Sequence, residues 1–192
     1  MRTPTLVAFV LVSAGSFLSA QDLGRPTSAT PFDNYLGVMR NTLRSLGSND
    51  PALPAVEQYV RTGRGFRYVM KDPYVPQTPA ETEATRAGDC KAKSLWLCDQ
   101  LGDAHVRYVI GKTRRGAKLS HAWVMWQNQG RWWILDCTNT TRPILAESVS
   151  KNEYIPFYSY DKSGCYRHST PQLMTASVAG KGNPVAASSH PH

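Results

Sequence analysis

Three residues of this 192-residue chain have types and positions suited to covalent chemistry on an amide: Cys90, His121 and Asp136. Cys90 follows Gly88-Asp89 and lies in the first turn of an expected helix. Unpaired backbone N–H groups and the helix dipole favour thiolate over thiol there. A thiol nucleophile also needs a base within hydrogen-bonding reach and a group that orients the base. His121 opens one expected strand, and Asp136 follows Trp132-Trp133-Ile134-Leu135 at the end of the next. A carboxylate at the end of a buried strand requires a partner. A symmetric turn centred between Asn128 and Gln129 sets His121 directly opposite Asp136, on the same side of a two-strand ladder. A three-residue loop with Gly130 in a bulge shifts that register by one. Taken singly, a Cys on a helix or a His in a strand reads as core. Together and in this order, the three read as nucleophile, base and orienter.

The elements that must position them follow from periodicity. Phe32, Leu36, Met39, Leu43 and Leu46, spaced by three and four, predict a helix over 32–46 that stops at Gly47. Asn49-Asp50-Pro51 starts a second helix, ended by Gly63 or Gly65. Thr78-Pro79-Ala80-Glu81 offers an N-cap, a Pro at the first helical position and a capping-box Glu. Asp89 caps a further helix through Leu95, Cys98 and Leu101 to Gly102. The period then changes to two. Residues 106–112, 121–126 and 131–137 read as strands, and 154–160 with 165–168 as a further hairpin turned at 161–164. Helices segregated before a largely antiparallel sheet give an α+β class.

Gly88-Asp89-Cys90, Ser120-His121-Ala122-Trp123-Val124 and Gly130-Arg131-Trp132-Trp133-Ile134-Leu135-Asp136-Cys137-Thr138 together resemble the transglutaminase-like superfamily of papain-fold enzymes, and most nearly its bacterial cysteine proteinase branch. The likeness covers roughly residues 60–140. It implies Cys90 as nucleophile, His121 as base and then acid, and Asp136 as orienter. It also implies a helix with Cys90 at its N-terminus packed on an antiparallel sheet that carries the other two. The chain departs from the pattern in Lys91-Ala92-Lys93, where relatives often place an acid after the Cys, and in Cys137 after the Asp. An oxyanion hole is expected from the Cys90 amide and one upstream donor, with Tyr74 and Gln77 as candidates. The implied activity is amide acyl transfer through a thioester on a protein or peptide. Hydrolysis is favoured; cross-linking to an amine and a catalytically silent binding module remain alternatives.

Residues 1–20 read as a secretory signal: Arg2, an uncharged stretch, an apolar run over 6–12 and small residues ending at Ser19-Ala20. An exported protein is expected, periplasmic or extracellular, with no membrane span left after cleavage. Residues 21–31 read as a linker, 32–168 as one transglutaminase-like domain and 169–192 as a disordered Ser/Thr/Pro/Ala/Gly tail. A hydrophobic content of 41% permits a packed core and excludes collagen, coiled-coil and polytopic membrane classes. The +8 net charge suits anionic surroundings. Lys112, Arg114, Arg115 and Lys118, in the loop leading to His121, are candidates for steering an acidic or envelope-associated substrate. Nucleic-acid binding has no motif behind it. The Cys90–Cys98 spacing does not suit zinc, and neither metal nor cofactor is expected. Because a nucleophilic Cys90 must be free, at most one bridge remains among the other three cysteines, with Cys137–Cys165 as the candidate.

Overall fold

Capping and apolar spacing build the first half of the chain, and β-branched alternation builds the second. The structure, a computed structural model, describes residues 24–169. The expected signal and the tail beyond Ser169 lie outside the described residues. The helices are α1 (Gly37–Ser45), α2 (Leu53–Arg64), α3 (Pro79–Thr85) and α4 (Cys90–Leu101). The strands are β1 (Arg25–Thr27), β2 (Arg67–Tyr68), β3 (Ala87–Gly88), β4 (Val106–Arg114), β5 (His121–Asn128), β6 (Arg131–Leu135), β7 (Ile144–Leu145), β8 (Glu153–Tyr160) and β9 (Cys165–Arg167). Seven of them form an antiparallel sheet in the order β1-β9-β8-β4-β5-β6-β7, and β2 and β3 form a short parallel pair. The class is α+β, as expected. Among the described residues no helix is long and apolar enough to cross a membrane.

Helix α4 is the hub. Residues on nearly every face of it are buried, among them Trp96, Leu97, Cys98 and Leu101. A helix with no polar stripe must be wrapped on all sides. The sheet covers one side through Val106, Tyr108, Val124, Trp126 and Leu135, and α1, α2 and α3 cover the rest. The far face of the sheet holds a second, smaller cluster around Val109, Trp123 and Ile134.

Four expectations are corrected. The single helix over 32–46 divides into a 3-10 turn (Asp33–Tyr35) and α1. Asp33 is drawn aside there, accepting from the Thr30 amide at 3.0 Å and pairing with Arg40 at 2.8 Å. Residues 25–27, within the expected linker, form β1 and pair with β9. The β5–β6 turn is centred between Gln129 and Gly130, one residue later than expected, with Asn128 opposite Arg131. Gln129 at φ 51° and Gly130 at φ 75° explain the shift, since a two-residue hairpin turn of this kind requires positive φ at both central positions. Finally, all four cysteines are free. The strands next to Cys137 and bearing Cys165 lie four places apart in the sheet, about 19 Å at the usual strand spacing, too far for a bridge.

Gly111 shows how tightly β4 and β8 fit. A Cβ there would lie 2.1 Å from the Ile155 carbonyl oxygen and 2.8 Å from the Trp123 ring, at a register shift in the ladder. Gly111→Ala is expected to lower unfolding stability by about 1–3 kcal/mol in a denaturant titration. A variant as stable as the wild type would show that the ladder yields easily at this point.

Candidate active site

Asp89 sets the start of α4. Its Oδ1 accepts from the Ala92 amide at 3.0 Å, and its Oδ2 pairs with Lys91. Cys90 therefore stands in the first helical turn, as its sequence context requires, and is only 7% exposed. Ser94, one turn on, donates to the Ala122 carbonyl at 3.0 Å. That bond fastens the helix to β5 beside His121.

His121 begins β5, and Asp136 follows the last residue of β6. The corrected register places them diagonally rather than directly opposite. The change is even-numbered, so both side chains stay on the same face. His121 Nε2 meets Asp136 Oδ2 at 2.9 Å, and the other face of His121 stacks towards Trp123. With Nε2 engaged by Asp136, Nδ1 is the ring nitrogen left to serve Cys90, which lines the same cleft as this imidazole. The structure thus brings all three expected residues into one site.

Asp136 has no exposed surface, and its carboxylate is fully occupied. Besides His121, it accepts from the Asn139 side chain at 2.8 Å, the Tyr154 hydroxyl at 3.1 Å and the Thr138 and Asn139 amides at 3.1 and 3.2 Å. Burial raises its pKa, but the His121 hydrogen bond and charge, with these donors, outweigh burial and hold it below the usual carboxylate value. Burial disfavours charge on His121 too. The Asp136 and Cys90 hydrogen bonds and charges reverse that and push the imidazole up to about 9. For Cys90, burial raises the thiol pKa. His121, the Lys91 ammonium and the Ala122 amide together bring it below that of an ordinary thiol. The net result favours a thiolate–imidazolium pair with an ionised carboxylate behind it.

Three contributors were not expected from sequence. Asn139 and Tyr154 hold Asp136, as described above. Tyr68, paired with Gly88 two residues before the nucleophile, is close enough for its hydroxyl to feel the charge of Cys90. Burial and the negative charges of Cys90 and Asp89 push this hydroxyl up to about 12. Of the two oxyanion candidates, Tyr74 lines the cleft with its ring 4.3 Å from the Lys91 ammonium. Gln77 donates to the Ala87 carbonyl at 3.4 Å. The other cysteines sit apart from this chemistry. Cys98 is wholly enclosed in the core, and burial pushes the Cys137 thiol up to about 12.

The cleft above Cys90 has a volume of about 320 Å³, walled by Phe32, Leu36, Ile110 and Ala122, with Ser120 and His121 on its other side. Arg114, Arg115 and Lys118 are exposed on the hairpin tip that leads into Ser120, and Lys112 is half-buried at its base. Among the described residues, no group of three or more His, Cys, Asp or Glu side chains is placed to hold a metal ion.

No protein-family model matches the sequence, and no curated protein matches it. Solved structures of LapG from Legionella pneumophila do share its fold. The EGTA-treated form aligns with a TM-score of 0.51 at 17% identity, over 69% of this chain and 75% of that one. The calcium-bound form aligns with a TM-score of 0.50 at 16% identity, over 71% and 86%. The chain therefore has the transglutaminase-like form of the papain fold.

Proposed function

We propose that the protein is an exported cysteine-dependent amide hydrolase, a protease or amidase, in which Cys90 is the nucleophile, His121 the base and then acid, and Asp136 the orienter. The observation that carries this reading is the 2.9 Å hydrogen bond from His121 to a buried Asp136, with Cys90 and His121 lining the same cleft. The thiolate attacks the amide carbon, and the carbonyl π electrons move onto oxygen. As that oxyanion collapses, the C–N bond breaks and the leaving amine takes the imidazolium proton. Water, deprotonated by the now neutral His121, then attacks the thioester; the C–S bond breaks, and acid product and thiolate are released. A cleft open to solvent supports water as the acceptor over an amine. The cations at 112–118 act as steering charges for an acidic peptide or envelope-bound substrate.

Brief treatment of the native protein with iodoacetamide at pH 6, followed by peptide mapping, tests the nucleophile. An ordinary thiol is less than about 1% ionised at that pH. Cys90 is expected to be labelled rapidly, and Cys98, Cys137 and Cys165 to be spared. Labelling with no preference for Cys90 would remove the basis of the reading. Casein cleavage should hold through neutral pH and fall above about pH 9, where His121 loses the proton that the leaving amine needs. Alkylation should not fall there, because the thiolate persists. If a primary amine such as cadaverine were incorporated in preference to hydrolysis, the acceptor would be an amine and the enzyme a cross-linker.

A further inference from the structure

We propose that a cavity on the far face of the sheet binds the carboxyl end of a peptide whose last residue is apolar. The cavity, of about 220 Å³, lies against the cluster of Val109, Trp123 and Ile134. An apolar cavity of about 150 Å³ already admits a benzene ring. The space here takes a side chain of leucine size with several atoms to spare. Two polar features of its wall narrow the occupant. The first is the indole N–H of Trp123, which is buried and has no acceptor among the described residues. Such a donor bears its full desolvation cost until an acceptor enters. The second is Arg107, whose guanidinium lies 4.2 Å from the Tyr166 ring centre, with its Nε 3.7 Å from Asp161, beyond hydrogen-bond reach. Among the described residues no Asp or Glu lines the cavity, and Ser159 and His168 there are bonded to each other at 2.8 Å. The wall thus offers a cation and a neutral donor beside an apolar floor. A peptide's carboxyl end supplies the complement of each: a carboxylate, the carbonyl of the preceding amide and the last side chain.

The cavity adjoins the His121–Asp136 pair. His121, Trp123 and Met125 alternate onto one face of β5, and the Trp123 ring stacks on His121 with centroids 6.3 Å apart. Tyr154 packs edge-on against Trp123 at 5.4 Å and donates to Asp136 at 3.1 Å. Trp123 and Tyr154 both line the cavity. An occupant therefore touches the two side chains that brace His121 and Asp136. It does so without entering the cleft of Cys90, whose walls Ile110 and Ala122 belong to the opposite face.

The probe is N-acetyl-leucine, a minimal molecule with all three groups, titrated at pH 7 into the wild type and into Cys90→Ala. Calorimetry should show one saturable site in both, with a Kd of about 1 mM or tighter. N-acetyl-leucinamide, which lacks the charge, and N-acetylglycine, which lacks the apolar body, should each bind at least about tenfold more weakly. Arg107→Gln should weaken the acid to the level of the amide. The indole N–H resonance of Trp123, identified by its loss in Trp123→Phe, should move downfield with occupancy as it gains an acceptor. Ala146→Trp, which fills the cavity from its wall, should abolish binding with the melting temperature little changed. Equal affinity for acid and amide would overturn the proposal. So would an unmoved Trp123 resonance, or an absence of binding at millimolar concentration. Binding that appears only when residues 170–192 are removed would make that segment the occupant, and a dimer split by Ala146→Trp would make it a second copy; either outcome overturns the peptide reading. A Cys90 that resists iodoacetamide would leave every one of these readouts unchanged, so this site and the proposed active site fail separately.

Discussion

Cys90→Ala is expected to lower kcat for amide cleavage by about 10⁴-fold or more while leaving the fold intact. The sulfur is the atom that forms the thioester, and no neighbouring nucleophile can replace it. The nearest other thiols, those of Cys98 and Cys137, are buried and held protonated. The change removes one atom from a small side chain, and Ser94, Asp89 and the sheet contacts of α4 remain to fix the helix. Residual turnover should come from binding and the oxyanion donors alone. His121→Ala should cost nearly as much, and the double variant little more than either single one, because the two residues act as a unit. Steady-state cleavage with matched thermal melts decides the matter. Wild-type turnover in Cys90→Ala would mean that another residue performs the attack.

Replacing Asp136 separates orientation from stability. In Asp136→Asn, the amide oxygen can still accept from the Thr138 and Asn139 backbone, but the NH₂ group faces His121 Nε2 where Oδ2 stood. Two donors cannot share that contact, so the ring must shift its proton to Nδ1, the nitrogen that serves Cys90. A protonated, neutral imidazole in that tautomer cannot take the thiol proton. The kcat is expected to fall between about 10²- and 10⁴-fold, with iodoacetamide reactivity at pH 6 falling as well. Asp136→Ala leaves the Asn139 and Tyr154 donors and the imidazole without their buried acceptor, at a cost of about 3–5 kcal/mol in a denaturant titration. An alanine variant as stable as the wild type would mean that water takes over the carboxylate's contacts.

Much of this arrangement was legible in the residues. Thr78 and Glu81 make the reciprocal capping bonds that their spacing calls for, and Asp89 caps α4 as read. The β4, β5, β6 and β8 strands fall where β-branched and aromatic alternation puts them. The common face of His121 and Asp136 survived a turn misplaced by one residue, because such an error changes pairing by an even number. What escaped has equally definite causes. β1 and β2, at three and two residues, are too short to carry a period, so nothing marked Tyr68 as part of a strand. Its place beside Cys90 depends on a parallel pairing between segments twenty residues apart. Asn139 lies just beyond a strand end, where only the turn back over Asp136 gives it a role. Cys137 and Cys165 gave no hint of the sheet order that separates them.

The edge pairing of Arg25 with Arg167 has a consequence for chain connectivity. It brings the two ends of the described fold together, so that a side chain built on Gly24 would come within 3.1 Å of the His168 ring. A short linker could join Gly24 to His168, and the chain could be opened instead at Gly116, whose surroundings are clear. In such a circular permutant, every strand pair and the His121–Asp136 bond are kept, yet His121 and Asp136 are synthesised before Cys90. Cleavage by that protein would show that the linear order of cysteine, histidine and aspartate is an accident of where the gene begins, and that the sheet alone brings the three together.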